Sequence, residues 1–573
     1  MTLLGWVGDV LRAHPEIALF LCLSIGYAIG QIKFGPIQLG GICGTLITAL
    51  FVGQLGVTLE AGVKNVFFML FIFALGYAGG PQFFANLNAK GLRIGILCLI
   101  EVVVVLTLVL GATHFMRLDP GTAAGLMAGA ATESAVVGTA TDAISKLALP
   151  AEQIKQLQAN VVTAYSITYI FGLITIVVVT SQIFPILLRV NLREEAEKLW
   201  KTMGGREEDA GASAATPELV GRVYEVTADI GGTVARLSAR LQASGSMQGL
   251  IRDGKKIDFT PDTRLQPGDR LLVIGHRGAV IDVAEAAAGL GRESADTSDF
   301  GLVLQGADLV LRNKAANGLT LRQLSQPGSA GKPLVGNSIL VSQVERGGQL
   351  MPLLPDLRLQ LGDKLRVHGT TQELAPAVSA LGEPMLKSTK TNITLASIGI
   401  VLGVWIGMFS ANFGGVALSL GTGGGALLTG LVFGWYQAKH PSRLSIPEDA
   451  LNLLKDIGLA TFIACVGLAS GPQALDLVHK YGISLPLMGV AIAVLPALCS
   501  LFVGHVLLKF EAPVLLGAIA GQQCSTPALS AIQSAAGNTT PLLGYTITYA
   551  ISNVILPLMG PVIVAMASLV QPH

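Results

Sequence analysis

Charged residues are concentrated in the middle of this chain, which restricts the folds that it can adopt. Of its 38 basic and 37 acidic residues, 49 lie between Arg189 and Lys390, in a chain of 573 residues. The flanking segments are apolar and nearly free of charge, and each can hold several membrane helices of about 20 residues. The pattern predicts an α-helical polytopic membrane protein with a soluble insert. An apolar content of 51% excludes a disordered chain, and a net charge of +1 gives no support for a nucleic-acid partner.

The two apolar segments are copies of each other. The matched stretches, in the same order in both, are LGGICGTLIT (39–48) with LGTGGGALLT (420–429), Lys64 with Lys455, GYAGGPQ (76–82) with GLASGPQ (467–473), GLMAG (125–129) with GAIAG (517–521) and AYSITY (164–169) with GYTITY (544–549). Chance does not produce so many matches in one order. We therefore expect an internal duplication, with membrane repeats at residues 1–190 and 388–573. Repeats of this kind are common in secondary transporters, whose substrate site lies near the midplane where the halves meet.

The orientation of the repeats depends on how many times each crosses the membrane. Breaks at residues 410–415 and 537–540 divide long uncharged runs into separate helices. If the insert is cytoplasmic and the Gly-rich segment of each half is re-entrant, each half crosses an odd number of times. The repeats are then inverted and both termini lie outside. The positive-inside rule gives this arrangement only partial support, and six full crossings in each half remain the alternative.

The soluble insert carries a second duplication. PDTRLQPGDRLLVIG (261–275) recurs as PDLRLQLGDKLRVHG (355–369), and Arg252 and Arg346 share the same spacing of 94 residues. A strand is expected after each Gly-Asp, and Ala-rich helices are expected at residues 280–289 and 372–381. We predict a linker at 191–216 and two tandem small α+β domains at 217–292 and 296–384. Their pattern resembles the C-terminal domain of the regulators of potassium conductance (RCK), which implies a cytoplasmic location and leaves open a small ligand.

Two duplicated membrane halves around two such modules resemble the aspartate:alanine exchanger family of bacterial transporters, along essentially the whole chain. The motifs that carry the resemblance are GPQ in both halves, GAATES (129–134), GQQCSTP (521–527) and the SITY/TITY pair. The resemblance implies a multi-pass protein of the bacterial inner membrane that exchanges aspartate for alanine, by elevator-like alternating access. The family also contains dicarboxylate exporters, so an exporter of a succinate-type substrate is the alternative function.

Residues 125–145 and 517–534 are the candidate substrate-binding segments, because each joins a Gly-xxx-Gly run to a polar cluster. An unwound stretch survives in a membrane only where it is buried in protein or lines a cavity, and a half-helix N-terminus suits a carboxylate. An ionisable Glu133 inside an apolar segment is a functional hypothesis by default, as a partner of a substrate ammonium or as a proton carrier. Glu101 is also intramembrane, but it lies near the start of its segment beside Arg93, so a structural or interfacial role is expected. The predicted substrate-binding residues are Thr132, Glu133, Ser134, Gln522, Gln523, Ser525 and Thr526.

Several other functions are disfavoured. The six cysteines form no CxxC pair or Cys/His cluster, and the insert holds no G-x-G-x-x-G or P-loop, so no metal, cofactor or enzyme activity is expected. A cation channel or transporter gated by the modules is less favoured, since no TVGYG-like filter occurs. The expected partners are a small amino-acid or dicarboxylate substrate, the lipid bilayer and a second copy of the chain. Residues 17–53 and 391–434 are candidates for a fixed scaffold in such a homodimer.

Overall fold

The computed structural model describes residues 3–34, 37–38, 40–57, 59–87, 89–203, 219–226, 232–241, 245–276, 291–294, 298–300, 304–324, 334–335, 339–346, 349–385, 392–413, 416–439 and 446–570. The chain forms two compact units. One consists of residues 1–199 and 387–573, and the other of residues 200–386.

The first unit is helical apart from two short β-hairpins. Its N-terminal part contains α1 (Leu3–Ala13), α2 (Pro15–Gly30), β1 (Lys33–Phe34), β2 (Ile37–Gln38), α3 (Gly41–Gly53), α4 (Ala61–Ala85), α5 (Ala89–Met116), α6 (Pro120–Ala130), α7 (Ala135–Ile144), α8 (Ala151–Val178), a π-helical turn (Val179–Ile183), α9 (Phe184–Leu188) and α10 (Leu192–Thr202). α10 lies within the predicted linker 191–216, whose first part is therefore helical; residues 204–216 are outside the described part.

The second unit contains two five-stranded antiparallel sheets. Its elements are β3 (Leu219–Val226), α11 (Val234–Leu241), β4 (Gly245–Arg252), β5 (Lys255–Lys256), β6 (Arg270–His276), β7 (Gly291–Ser294), β8 (Leu304–Leu311), α12 (Leu321–Leu324), β9 (Leu340–Arg346), β10 (Gln349–Leu350), β11 (Lys364–Thr370), α13 (Thr371–Leu381) and β12 (Gly382–Pro384), with single 3₁₀ turns at Ser298–Phe300 and Lys314–Ala316.

The C-terminal part of the first unit follows the insert. It contains α14 (Ile393–Met408), β13 (Ser410–Phe413), β14 (Val416–Ser419), α15 (Gly421–Lys439), α16 (Glu448–Tyr481), α17 (Ser484–Phe502), a π-helical turn (Val503–Leu507), α18 (Ala512–Gln522), α19 (Thr526–Ala536) and α20 (Leu542–Val570). Both predicted breaks are present, since β13 and β14 occupy the first and α19 ends just before the second.

Six helices among the described residues are long and apolar enough to cross a membrane. They are Gly62–Ala85, Gly91–Met116, Ala151–Leu188, Glu448–Gly471, Ser484–Leu507 and Leu542–Val570. α1 and α2 together pass the same test but are bent by 107°, so they form a broken span or a re-entrant loop. The prediction of a helical, multi-pass membrane protein with a sheet-containing insert is confirmed at this level.

The order of elements repeats along the first unit, as the duplicated motifs predict. α2 to α8 correspond in order to α14 to α20, and a two-stranded hairpin follows the first helix of each series. The packing is interleaved, because α4 packs on α15 and α3 packs on α16. Each repeat therefore depends on the other for its core.

α6 and α7 form a helical hairpin beside α8. Glycines 121, 125 and 129 of α6 lie against residues 157, 161 and 165–168 of α8, so these two helices run in the same direction. α7 runs back: Ser134 at its start bonds Tyr165, and the carbonyl of Thr141 near its end accepts from Gln158. α18 lies parallel to α20 in the same way, and α19 begins beside Tyr545. We name these pairs hairpin 1 (residues 120–144) and hairpin 2 (residues 512–536).

The two sheets of the insert have equivalent strand orders, β5-β4-β6-β3-β7 and β10-β9-β11-β8-β12. Strands β6 and β11 follow the two Gly-Asp motifs, and α13 matches the predicted helix 372–381. The other predicted helix, at 280–289, lies outside the described residues. The repeated strand order agrees with the repeated sequence.

A buried ion pair explains the repeated Gly-Asp motif. In the second copy the Arg346 guanidinium donates to both carboxylate oxygens of Asp363 at 2.7 Å, and Asp363 also accepts from the Gln360 backbone N–H. In the first copy Arg252 and Asp269 form the same fork at 2.7 and 2.8 Å, a bond that raises the pKa of Arg252. The motif aspartate thus holds together the turn before its strand. Since a hydrogen-bonded arginine occupies both oxygens, the motif is structural.

Candidate functional site

The tip of hairpin 1 is a sharp turn in a strained backbone conformation. α6 ends in a Schellman motif, in which Thr132 N–H donates to Gly129 O and Glu133 N–H donates to Ala128 O at 3.0 and 2.9 Å. Thr132 occupies the left-handed position with φ of 52°. This position normally holds glycine, and a β-branched residue there is an outlier. The turn presents Glu133 between two short helices.

The tip of hairpin 2 has the same geometry. Cys524 is left-handed with φ of 51°, and Ser525 N–H donates to Ala520 O at 3.0 Å. Cys524 is therefore the counterpart of Thr132, and Ser525 is the counterpart of Glu133. One repeat therefore has a carboxyl group at this position of the tip, and the other has a hydroxyl.

The two tips touch each other. The Thr132 hydroxyl donates to the backbone carbonyl of Gln523 at 2.7 Å. The Cys524 thiol forms a hydrogen bond with the Glu133 carboxyl group. Two segments that are about 390 residues apart in the sequence are thereby brought into one constellation, as we expected from their matched positions.

Glu133 is enclosed at this junction. It is only 5% exposed, and its carboxylate accepts from the Ala135 backbone N–H at 3.1 Å. Within the described ranges it forms no salt bridge. α7 and α19 both begin at the tips, so the positive ends of two helix dipoles also face this region. The arrangement offers an acidic group for a cation and helix N-termini for an anion.

Two buried tyrosines hold the hydroxyls of the tips. The Tyr165 hydroxyl is 2.6 Å from Ser134 Oγ, and the Tyr545 hydroxyl is 3.0 Å from Thr526 Oγ1. Ser525 Oγ accepts from the Ala528 N–H at 3.4 Å and caps α19. With the Thr132 hydroxyl, which donates to the Gln523 carbonyl, all four predicted hydroxyls thus already have partners within the protein. They position the tips, and a ligand has to share or displace these bonds.

The two glutamines differ from the hydroxyls. Gln523 Nε2 donates to the Ala493 carbonyl at 2.8 Å, but its Oε1 has no partner among the described residues. Gln522 is fully buried, and neither its amide oxygen nor its amide nitrogen has a partner in that part of the chain. A buried amide without hydrogen bonds is costly and calls for an explanation. A polar ligand beside the second tip supplies one.

Glu101 is an acid buried inside the protein. Of the two expected roles, structural and interfacial, the interfacial one does not fit, because Glu101 is 0% exposed; neither of its carboxyl oxygens has a partner in the described residues. Arg93 is eight residues away, about 12 Å along the helix axis, and donates instead to the Leu508 carbonyl. Glu101 interacts electrostatically with Glu133 and Cys524. Helical spacing was the available signal, because it places Glu101 about two turns from Arg93, the nearest cation on its helix.

Comparisons with known proteins agree with this geometry. Residues 18–185 and 395–565, the two helical repeats, match a family described as a predicted permease membrane region. The chain belongs to this family of transporters. The permease is 36% identical over 569 residues to an uncharacterized transporter of Zymomonas mobilis, covering 99% of this chain and 100% of the relative. It is 33% identical over 567 residues to an uncharacterized transporter of Shewanella oneidensis, covering 98% and 99%.

A third relative, an uncharacterized transporter of Francisella tularensis, is 33% identical over 568 residues, covering 97% of this chain and 98% of the relative. No solved structure matches the permease. Family membership therefore confirms a membrane transporter of the exchanger-like family that the motifs resemble. The matched family region leaves out the insert, so the resemblance of the insert to RCK modules stays a prediction.

Proposed function

We propose that the permease is an amino-acid antiporter that exchanges aspartate for alanine at the junction of the two tips. The observation that carries the proposal is Glu133, an acid enclosed between the tips with no salt bridge in the described residues. A carboxylate in such a place is expensive unless a cation pairs with it. Aspartate and alanine both carry an ammonium group, so a single acid can orient either substrate.

The carboxylates of the substrate have their own partners on this view. The N-termini of α7 and α19 favour negative charge. The unpartnered amide of Gln522 lies just before the second tip and can donate to the side-chain carboxylate of aspartate. Alanine lacks that group and leaves the amide unused. The same site then accepts both amino acids but holds them with different contacts.

The arrangement of the hairpins supports the proposal of alternating access. In each repeat the hairpin enters the membrane and returns to the same side, so it does not count as a crossing. Five crossing helices then remain in each repeat, if α2 and α3, and their counterparts in the second repeat, each cross. An odd number supports inverted repeats, with the insert cytoplasmic and both termini outside the inner membrane. Hairpin 1 then enters from outside and hairpin 2 from inside, so elevator-like movement exposes the tips to each side in turn.

The proposed transporter also contains a fixed scaffold and regulatory modules. Large apolar side chains are exposed on α2 and α14, including Phe20 and Trp405, which suits lipid contact or a homodimer through the scaffold. The insert is proposed to form two tandem RCK-like domains at 217–292 and 296–384 that modulate transport and bind a small ligand. The predicted site residues lie outside these domains.

Counterflow in proteoliposomes tests the proposed exchange. Vesicles loaded with alanine, aspartate or succinate are diluted into each labelled substrate. We expect alanine and aspartate to drive each other's uptake and succinate to drive neither. Uptake of succinate without the amino acids would replace this proposal by dicarboxylate export, because succinate has no ammonium for Glu133.

A further inference from the structure

A cavity of about 320 Å³ lies between the repeats and is separate from the tips. It begins at the far end of α7, where Asp142 is eight residues, or about 12 Å along the helix, from Ser134. Its polar lining residues include Lys64, Asn65, Asp142, Lys155, Gln158 and Thr422. Most of the polar ones are amides, hydroxyls and cations, a composition that suits a small anion.

Lys64 is the charge in this cavity that has no direct partner. Among the described residues its ammonium forms no hydrogen bond or salt bridge, although it is attracted at longer range by Asp142. Lys155 differs, because it is largely exposed and lies 3.8 Å from Glu152. Lys64 is half-buried and faces the cavity. A cation so placed favours binding of a negatively charged group.

The helices around the cavity add to its positive character. Lys64 lies in the first turn of α4, Ala151 begins α8 and Thr422 lies in the first turn of α15. Three helix N-termini therefore meet here, each carrying a partial positive charge. The shortest of these three helices, α15, has 19 residues.

Asp142 shows that a carboxylate fits this environment. Its Oδ2 accepts from the Thr422 backbone N–H at 2.7 Å, and its Oδ1 accepts from Thr422 Oγ1 at 3.1 Å. Lys146 lies 3.4 Å from the same Oδ2. The contact joins hairpin 1 of the first repeat to α15 of the second. Asp142 is thus a carboxylate of the protein itself, held at a helix N-terminus on the cavity wall.

The equivalent place on the other side of the duplication lacks these groups. Lys455 matches Lys64, but Ser534 stands at the position of Asp142 and Gly41 at that of Thr422. Lys455 is also followed by Asp456, with which it interacts electrostatically, where the first repeat has Asn65. The cavity chemistry therefore occurs at one of the two equivalent places between the repeats, although the tips occur in both repeats.

We propose that this cavity is a second carboxylate-binding site, in which Lys64 binds the side-chain carboxylate of an acidic substrate before it reaches the tips. This inference rests on the proposed function and specifies the side of the membrane from which the substrate enters. In the proposed topology α4 and α8 begin outside, so aspartate is collected from that side. Alanine has no side-chain carboxylate and gains little from the site. The substrate carboxylate competes with Asp142 for the Thr422 N–H, which loosens hairpin 1 from α15.

The test compares Lys64→Gln with Lys455→Gln, the matched lysine of the other repeat, in counterflow assays with purified full-length protein. We expect Lys64→Gln to raise the KM for aspartate about tenfold, the effect of losing one charge-assisted hydrogen bond. The KM for alanine and the kcat should change less than about threefold. Lys455→Gln should leave both KM values within the same limit, and Lys64→Arg should restore the KM for aspartate because it keeps the charge.

A second readout is ligand-induced thermal stabilisation in detergent. Aspartate should raise the melting temperature of the wild-type protein and of Lys64→Arg, and should do so only at about tenfold higher concentration for Lys64→Gln. An unchanged KM and an unchanged thermal response in Lys64→Gln would overturn the cavity site and leave the antiport proposal standing.

The two proposals fail in different ways. If the wild-type protein exchanges succinate but neither amino acid, antiport is refuted; a tenfold rise in the KM for succinate in Lys64→Gln then still supports the cavity, and no rise refutes it. If none of the three compounds is exchanged or stabilises the protein, both proposals are overturned.

Discussion

Replacing Glu133 by glutamine removes the charge at the junction of the tips with little change in shape. A glutamine Oε1 can still accept from the Ala135 N–H, which the carboxylate does now at 3.1 Å. The fold of the tip should therefore survive. What is lost is a charge-assisted hydrogen bond to the substrate ammonium, which is worth about 1.5–3 kcal/mol. This corresponds to a decrease of about 10- to 150-fold in kcat/KM.

The assay is counterflow of labelled aspartate and alanine at equal amounts of inserted protein. Both substrates should be affected to a similar degree, because both present the same ammonium. Ser525→Ala is the matched variant in the other repeat. It removes the cap of α19, at a cost of about 1 kcal/mol in stability, and should weaken aspartate more than alanine. Wild-type rates for both substrates in Glu133→Gln would refute the ammonium assignment and make the residue structural.

Three further outcomes follow from the geometry. Cys524→Gly should be more stable than Cys524→Ala by about 1 kcal/mol. Both variants lose the thiol, but only glycine is unstrained at a φ of 51°. Equal melting temperatures of the two variants would contradict this prediction. Glu101→Leu should raise the melting temperature, because it removes an unpartnered buried group worth about 1–3 kcal/mol. An unchanged or lower melting temperature would contradict this. Asp363→Ala should destabilise the insert by about 3–5 kcal/mol. Asp269→Ala should destabilise it less, because the arginine left without its partner is 24% exposed there, against 3% for the arginine beside Asp363. Limited proteolysis in which Asp269→Ala is the more easily cleaved variant would contradict this prediction.

Features that repeat in the sequence were predictable to a large extent. The duplication of helices, the breaks at 410–415 and 537–540 and the paired strands after each Gly-Asp all follow from local patterns. The spacing of Arg346 from Asp363 also recurs in the first copy, between Arg252 and Asp269.

Features that depend on packing between repeats were not predictable. The sequence does not show that Tyr165 bonds Ser134, or that the hydroxyls of the tips are already occupied, because those partners come from neighbouring helices. An interfacial role for Glu101 was one of two roles expected from its place near Arg93, yet Glu101 is completely buried. Lys64 was visible only as half of a matched pair, and its cavity exists because α15 of the other repeat lies beside α7.

The central claim is that the tips of the two hairpins form one substrate site. A structure determined with bound aspartate tests it most directly. We predict that the ammonium group lies within hydrogen-bond distance of Glu133 and the side-chain carboxylate beside Gln522 and the N-terminus of α19. Aspartate bound with its ammonium away from Glu133, and with both tips in their present contact, would contradict the account.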